Sequence, residues 1–289
     1  MMTTLVRMRT RTIGALLLGS VACSCSENPG PVSMVPGPSL VTETRVLFIG
    51  NSLTLSNHLP GLVDSIAAAV AVPWTHQLEA FGGYSLEDHW VSSRLRSTIL
   101  NGNWDWVVLQ QGPSALPESR DNLVFWTQQF DARIRMGGAK TALYMVWPEA
   151  IRRSAFDSVS ASYRAAASAA GGTLLPAGDA WLAAWRRDPT LPLYGSDGFH
   201  PGIAGSYLAA LTIFAGLTGR SPLDVPLRPA GLASVLLELS DDQLRNLRQA
   251  AYDVTIHATS GASPNGPDVP ALPVLSSPAR ADPRQRRVH

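Results

Sequence analysis

The chain has 289 residues, 45% of them hydrophobic, enough to bury a substantial core in one large domain or two small ones. Its net charge of +1 and pI near 7.9, with no long basic run in the body, lack the electrostatic footprint of a nucleic-acid binder. Both cysteines, Cys23 and Cys25, lie near the N-terminus, so the body can hold neither a disulfide framework nor a cysteine metal site.

Residues 1–25 have the layout of an export segment. Arg7, Arg9 and Arg11 precede the apolar run Ile13 to Leu18, and the small residues Gly19, Ser20 and Ala22 lead to Cys23. The run is too short to span a membrane stably. The stretch VAC resembles the lipobox of bacterial lipoproteins, which implies lipidation of Cys23 and attachment to a membrane; Ser20 stands where such boxes usually carry leucine. Residues 26–43, rich in proline and glycine, read as a flexible tether. A folded domain is expected over 44–258. The Pro-, Ser- and Arg-rich tail, 259–289, has almost nothing to bury and is expected to be disordered.

Within the domain, strand and helix patterns alternate. The apolar run Val46 to Ile49 reads as a strand that enters Gly50, Asn51 and Ser52, and helical spacing follows from Leu59 to Val72. Trp74 to Phe81 is the second expected strand, closed by Gly82 and Gly83, and Ser85 to Leu100 the next helix. Trp106 to Leu109 is a third strand running into Gln110 and Gln111, before a helix from about Ser119 to Met136. Thr141 to Val146 is the fourth strand, closed by Trp147 and Pro148. An Ala-rich helix from Ala155 to Ala170 precedes a short fifth strand, Thr173 to Leu175. Pro201 to Leu217 and Ser240 to His257 are the last helices, the second opened by the capping-box pattern SDDQ. No internal repeat is visible. The alternation predicts an α/β fold, a three-layer α/β/α sandwich around a parallel, flavodoxin-like sheet of about five strands.

Open parallel sheets bind ligands outside the carboxyl ends of their strands, so chemistry is sought there. Ser52 follows the first strand beside a helix start, where it can be a nucleophile or merely a helix cap. Asp197 and His200 are three apart in SDGFHP, a spacing that can bring both side chains to one face. Asp197 can then orient His200 as a base, or it can simply cap the helix that begins near Pro201. His58, His76 and His89 are scattered without metal-ligand spacing, so no metal is expected.

Gly-Asn-Ser-Leu after the first strand and Asp-x-x-His-Pro before a late helix resemble the SGNH/GDSL hydrolase superfamily across about residues 45–220. Asn51 replaces the more usual aspartate of the first block. The resemblance implies a serine nucleophile at Ser52, with His200 as base and Asp197 as its partner. It also implies an oxyanion hole from the Ser52 N–H, a block-two glycine (Gly83, or Gly82 beside it) and a third donor. The third block usually reads Gly-x-Asn-Asp, but this chain has LQQGPS, so Gln110 or Gln111 would have to donate through its amide; Gln110 is the first choice. Trp147 is the best-placed aromatic to line a substrate cleft, with Gln111 beside it. The implied protein is an exported serine esterase, lipid-anchored if Cys23 is modified, that needs no cofactor and acts on a small-molecule or carbohydrate ester, with O-acetyl carbohydrate favoured. An acyltransferase and a non-catalytic surface-binding lipoprotein on the same fold are the other readings. No oligomeric state is legible.

Overall fold

The computed structural model describes residues 42–259. The export segment with Cys23, the tether through residue 41 and the tail from residue 260 lie outside the described residues.

The first strand, β1 (Thr44–Gly50), is followed by a short helix, α1 (Ser52–Leu55), a 3₁₀ turn at Ser56–His58, and α2 (Leu59–Ala69). Next come β2 (Trp74–Ala80), the helices α3 (Leu86–Trp90) and α4 (Ser93–Asn101), and β3 (Trp106–Leu109). The long α5 (Pro117–Met136) leads to β4 (Lys140–Tyr144), and α6 (Phe156–Ala170) to β5 (Thr173–Leu175). The chain closes with α7 (Ala177–Arg187), α8 (Ile203–Thr218) and α9 (Asp241–Thr259).

The five strands are parallel, in the order β2-β1-β3-β4-β5. The order reverses between β1 and β3, because β1 feeds outward to β2 while β3 lies on its other side. At such a switch point the loops after the two strands diverge to opposite faces and leave a crevice. β1 lines that crevice in register with β3, Ile49 opposite Leu109. A strand covered on both faces must be apolar throughout. Val46, Leu47, Phe48 and Ile49 are accordingly all fully buried.

One helical layer contains α2, α8 and α9, with α7 packed against the last two; the other contains α4, α5 and α6. α8 is buried on nearly every side, which explains a sequence that is apolar all round rather than striped.

Three local expectations shift. The helix expected over Ser85 to Leu100 is two, because Ser92 takes an extended conformation and caps α4 by accepting from the Leu95 N–H. α5 starts earlier than Ser119, at Pro117, whose missing N–H costs nothing at a first helical position. Asp179 in PAGDAW reads as a helix cap, but α7 (Ala177–Arg187) starts before it and holds Asp179 inside its first turn. This helix buries Trp181 and Trp185 against the core.

Close approach fixes one residue of α8. A methyl group at Gly205 would run into the Leu193 carbonyl oxygen and the Trp181 ring. Gly205→Ala should therefore destabilise the domain by about 1–3 kcal/mol in urea unfolding; an unchanged midpoint would show that the contact relaxes freely.

Candidate active site

The turn after β1 is built around a buried amide. Gln110, the first residue beyond β3, donates its own N–H to Ile49 O and accepts at Oε1 from the Asn51 N–H (2.9 Å) and the Thr54 hydroxyl (2.7 Å). Its Nε2 donates to Asn51 Oδ1 (3.0 Å) and to Gln111 O (2.6 Å). Gly50 leaves room for this arrangement, since a side chain there would collide with Thr54 Oγ1 and Gln110 Oε1. Asn51 is extended and caps α1, accepting at Oδ1 from the Leu53 N–H at 3.1 Å. Asn51, not Ser52, is thus the helix cap, and the Ser52 hydroxyl is left for other work.

That hydroxyl lies 2.9 Å from His200 Nε2, and His200 Nδ1 lies 2.6 Å from Asp197 Oδ2. A carboxylate can only accept, so Nδ1 carries the proton and the bare Nε2 accepts from Ser52. Asp197 Oδ1 also accepts from the N–H groups of Phe199 and His200, at 2.9 Å each. The His200 hydrogen bond first, and then these backbone donors, hold the Asp197 carboxyl down at about 2. Asp197 therefore orients the histidine as a full anion, even though half of its side chain is exposed.

The loop that presents His200 hangs from the end of β4. The Trp147 indole N–H donates to Phe199 O (3.1 Å), the Ala150 N–H to Gly198 O (2.8 Å), and the Tyr194 hydroxyl to Pro148 O (2.6 Å). Within the loop the Gly195 N–H closes on His200 O at 2.7 Å.

In the turn after β2, Gly83 adopts a φ of +78° with open space where a side chain would stand. This conformation is left-handed and favours glycine. Asn51 Nδ2 donates to Tyr84 O at 3.0 Å, which ties the glycine turn to the residue preceding Ser52. Gly82 is equally unobstructed.

Three expectations for this region need correction. Gln110 is only 1% exposed, and both protons of its amide are committed to Asn51 Oδ1 and Gln111 O, so it has none to offer an oxyanion. Gln111 is also buried. Its Oε1 accepts from the Leu86 N–H and its Nε2 donates to the Ser114 hydroxyl, so it clamps the loop after β3 to α3 and lines no open cleft. Trp147 is likewise fully buried, stacked on Trp181 at 3.6 Å; it supports the histidine loop from behind and faces no substrate space.

Sequence reasoning passed over three supports. Thr54 completes the Gln110 network, and the Tyr163 hydroxyl donates to Gln111 O at 2.7 Å. His89 is buried beneath the Phe81 and Tyr84 rings with Nε2 2.7 Å from Gly50 O. Burial lowers its pKa against the opposing pull of that carbonyl, so it is a neutral imidazole donating at Nε2. No local pattern marks any of the three, because each acts through a partner distant in sequence. His76 is paired with Asp64 at 2.8 Å, with the His58 ring nearby. Among the described residues no group of three or more potential ligands is placed to hold a metal ion.

Solved structures similar to this one include the following two. A DUF4886 family protein from Bacteroides uniformis matches with a TM-score of 0.59 and 20% identity, over 75% of this chain and 96% of its own. A protein from Slackia heliotrinireducens described as a candidate SGNH hydrolase matches with a TM-score of 0.53 and 24% identity, over 61% of this chain and all of its own. No family model and no curated protein matches the chain. The chain has the fold of the SGNH/GDSL hydrolase superfamily.

Gln110→Met keeps volume but removes the network, leaving the buried Asn51 N–H without an acceptor. It should lower stability by about 1–3 kcal/mol in urea unfolding, and stability equal to wild type would show that the network does not hold the turn. Asp197 makes a pH-dependent prediction. Its folded pKa lies below its ordinary 3.8, so its contribution is fully present above that value and is lost as pH falls through about 2. The gap in thermal midpoint between wild type and Asp197→Asn should narrow across this window; a gap that stays constant would rule out the contribution.

Proposed function

We propose that this chain is an exported serine esterase that cleaves a small acyl ester through an acyl-enzyme. One observation carries the proposal: the continuous hydrogen-bonded path from Asp197 through His200 to Ser52, with 2.6 and 2.9 Å steps, at the switch point of an SGNH-type sheet. Ser52 Oγ attacks the ester carbonyl carbon while its proton passes to His200 Nε2, and Asp197 stabilises the imidazolium that forms. The carbonyl oxygen becomes an oxyanion, held by two backbone donors, the N–H groups of Ser52 and Gly83. The Ser52 N–H has no intrahelical acceptor because Ser52 is the first residue of α1. His200 then gives its proton to the departing alkoxide. In the second half, water loses a proton to Nε2 and attacks the acyl carbon, releasing the acid and restoring the Ser52 hydroxyl.

An O-acetylated carbohydrate is the substrate class we favour, supported by a short, open surround in which His200 and Asp197 are both partly exposed. Export and a lipid anchor at Cys23 complete the proposal and rest on the N-terminal pattern alone.

One observation favours a second reading, a binding protein with little turnover: with Gln110 committed to the turn, the β3 end contributes no side-chain oxyanion donor. One such donor is typically worth about 10²–10³ in rate. Steady-state hydrolysis of 4-nitrophenyl acetate and of a panel of acetylated sugars separates the two. Wild type should turn over, and Ser52→Ala should be slower by about 10⁴–10⁶-fold. A wild type no faster than Ser52→Ala would support the binding protein instead.

A further inference from the structure

The geometry points to Asn57 as a positioning residue that sets the separation of Ser52 and His200, an inference that rests on the esterase proposal. The two residues come from segments far apart in sequence, the turn after β1 and the loop before α8. Among the described residues, three hydrogen bonds join 51–58 to 195–206. One is the Ser52–His200 contact itself. Asn57 makes the other two, donating from Nδ2 to Pro201 O and to the Ser206 hydroxyl, each at 2.9 Å. A carbonyl oxygen can only accept, so the orientation of the Asn57 amide is fixed by chemistry. Pro201 directly follows His200, and Ser206 lies in α8. Asn57 therefore holds the backbone on the far side of His200 at a set distance from the segment that carries Ser52.

The backbone supports this assignment independently. Asn57 and His58 both have φ of 53°, two successive non-glycine residues in the left-handed region. Such a conformation is uncommon and persists only where the surroundings over-determine it. Here it breaks the helical path between α1 and α2 at the point where the Asn57 side chain must turn toward α8. Asn57 itself is exposed, whereas Pro201 and Ser206 are buried, so the amide reaches inward from the surface to two interior acceptors.

Two variants separate the hydrogen bonds from the backbone conformation. Asn57→Gly accepts the positive φ more readily than asparagine but loses both bonds. Asn57→Asp keeps size and shape, yet cannot donate to Pro201 O. Both are tested by steady-state hydrolysis of 4-nitrophenyl acetate at a temperature where circular dichroism shows each fully folded. Both should lower kcat by about 10–100-fold, as expected of sub-ångström to ångström misplacement of a reacting pair. KM should stay within about threefold, because the substrate contacts are untouched. Loss of folding alone would not produce that split in a protein shown to be folded. Wild-type turnover with undiminished kcat in Asn57→Gly would overturn the role of Asn57 and leave the esterase intact. A wild type without turnover would instead refute the esterase, and the role of Asn57 with it.

Discussion

The site depends on how two neighbouring strands end. β1 and β3 lie side by side at the reversal of strand order, and the residue beyond β3 reaches across to hold the residue beyond β1. The Asn51 N–H would otherwise be a donor stranded in a dry interior, and Gln110 Oε1 satisfies it at 2.9 Å. In low dielectric such a bond is strong when made and costly when missing. It fixes a turn with few alternatives, since Gly50 admits no side chain and Asn51 has both ends of its amide engaged. The direction of Ser52 follows from that turn.

His200 reaches Ser52 by a different device. Its loop is surface structure, and loops hold function only where a rigid scaffold positions them. Here the scaffold is the continuation of β4, where Trp147, Pro148 and Ala150 each bond a residue of the loop. Trp147 is itself held by stacking on Trp181 of α7, so the histidine is referred back to the core through two layers of packed aromatic rings. The imidazole that accepts from the Ser52 hydroxyl is thus partly exposed while Trp147 and Pro148 behind its loop are buried, an arrangement that leaves the site open without loosening its geometry.

Much of this was legible in the sequence. The inner strands β1, β3 and β4 are short, mostly apolar runs that are mostly buried, while the edge strand β2, with its mixed sequence WTHQLEA, is half-buried, so composition and fate agree. That Ser52, Asp197 and His200 meet was legible from residue type and order, since Ser52 follows β1 and the Asp-x-x-His pair stands just before α8. α7 was legible only in part: Asp179 reads as a helix cap, but the helix starts before it, after Pro176, without a side-chain cap, and its two tryptophans mark burial rather than a helix. The third oxyanion donor was misassigned for a general reason. A glutamine at a strand end looks the same in sequence whether its amide faces the cleft or turns back to satisfy a neighbouring backbone, and only the three-dimensional partners decide. Trp147 was misplaced in the same way, since an aromatic at a strand end fits core or cleft equally well.

The central claim is that Ser52 is made nucleophilic by His200, and covalent trapping tests it most directly. The folded protein is treated with a fluorophosphonate, digested and mapped by mass spectrometry. A single phosphonyl adduct on the peptide containing Ser52, lost in His200→Ala, is the expected result. An unmodified Ser52 in the wild type, or equal labelling in His200→Ala, would contradict it.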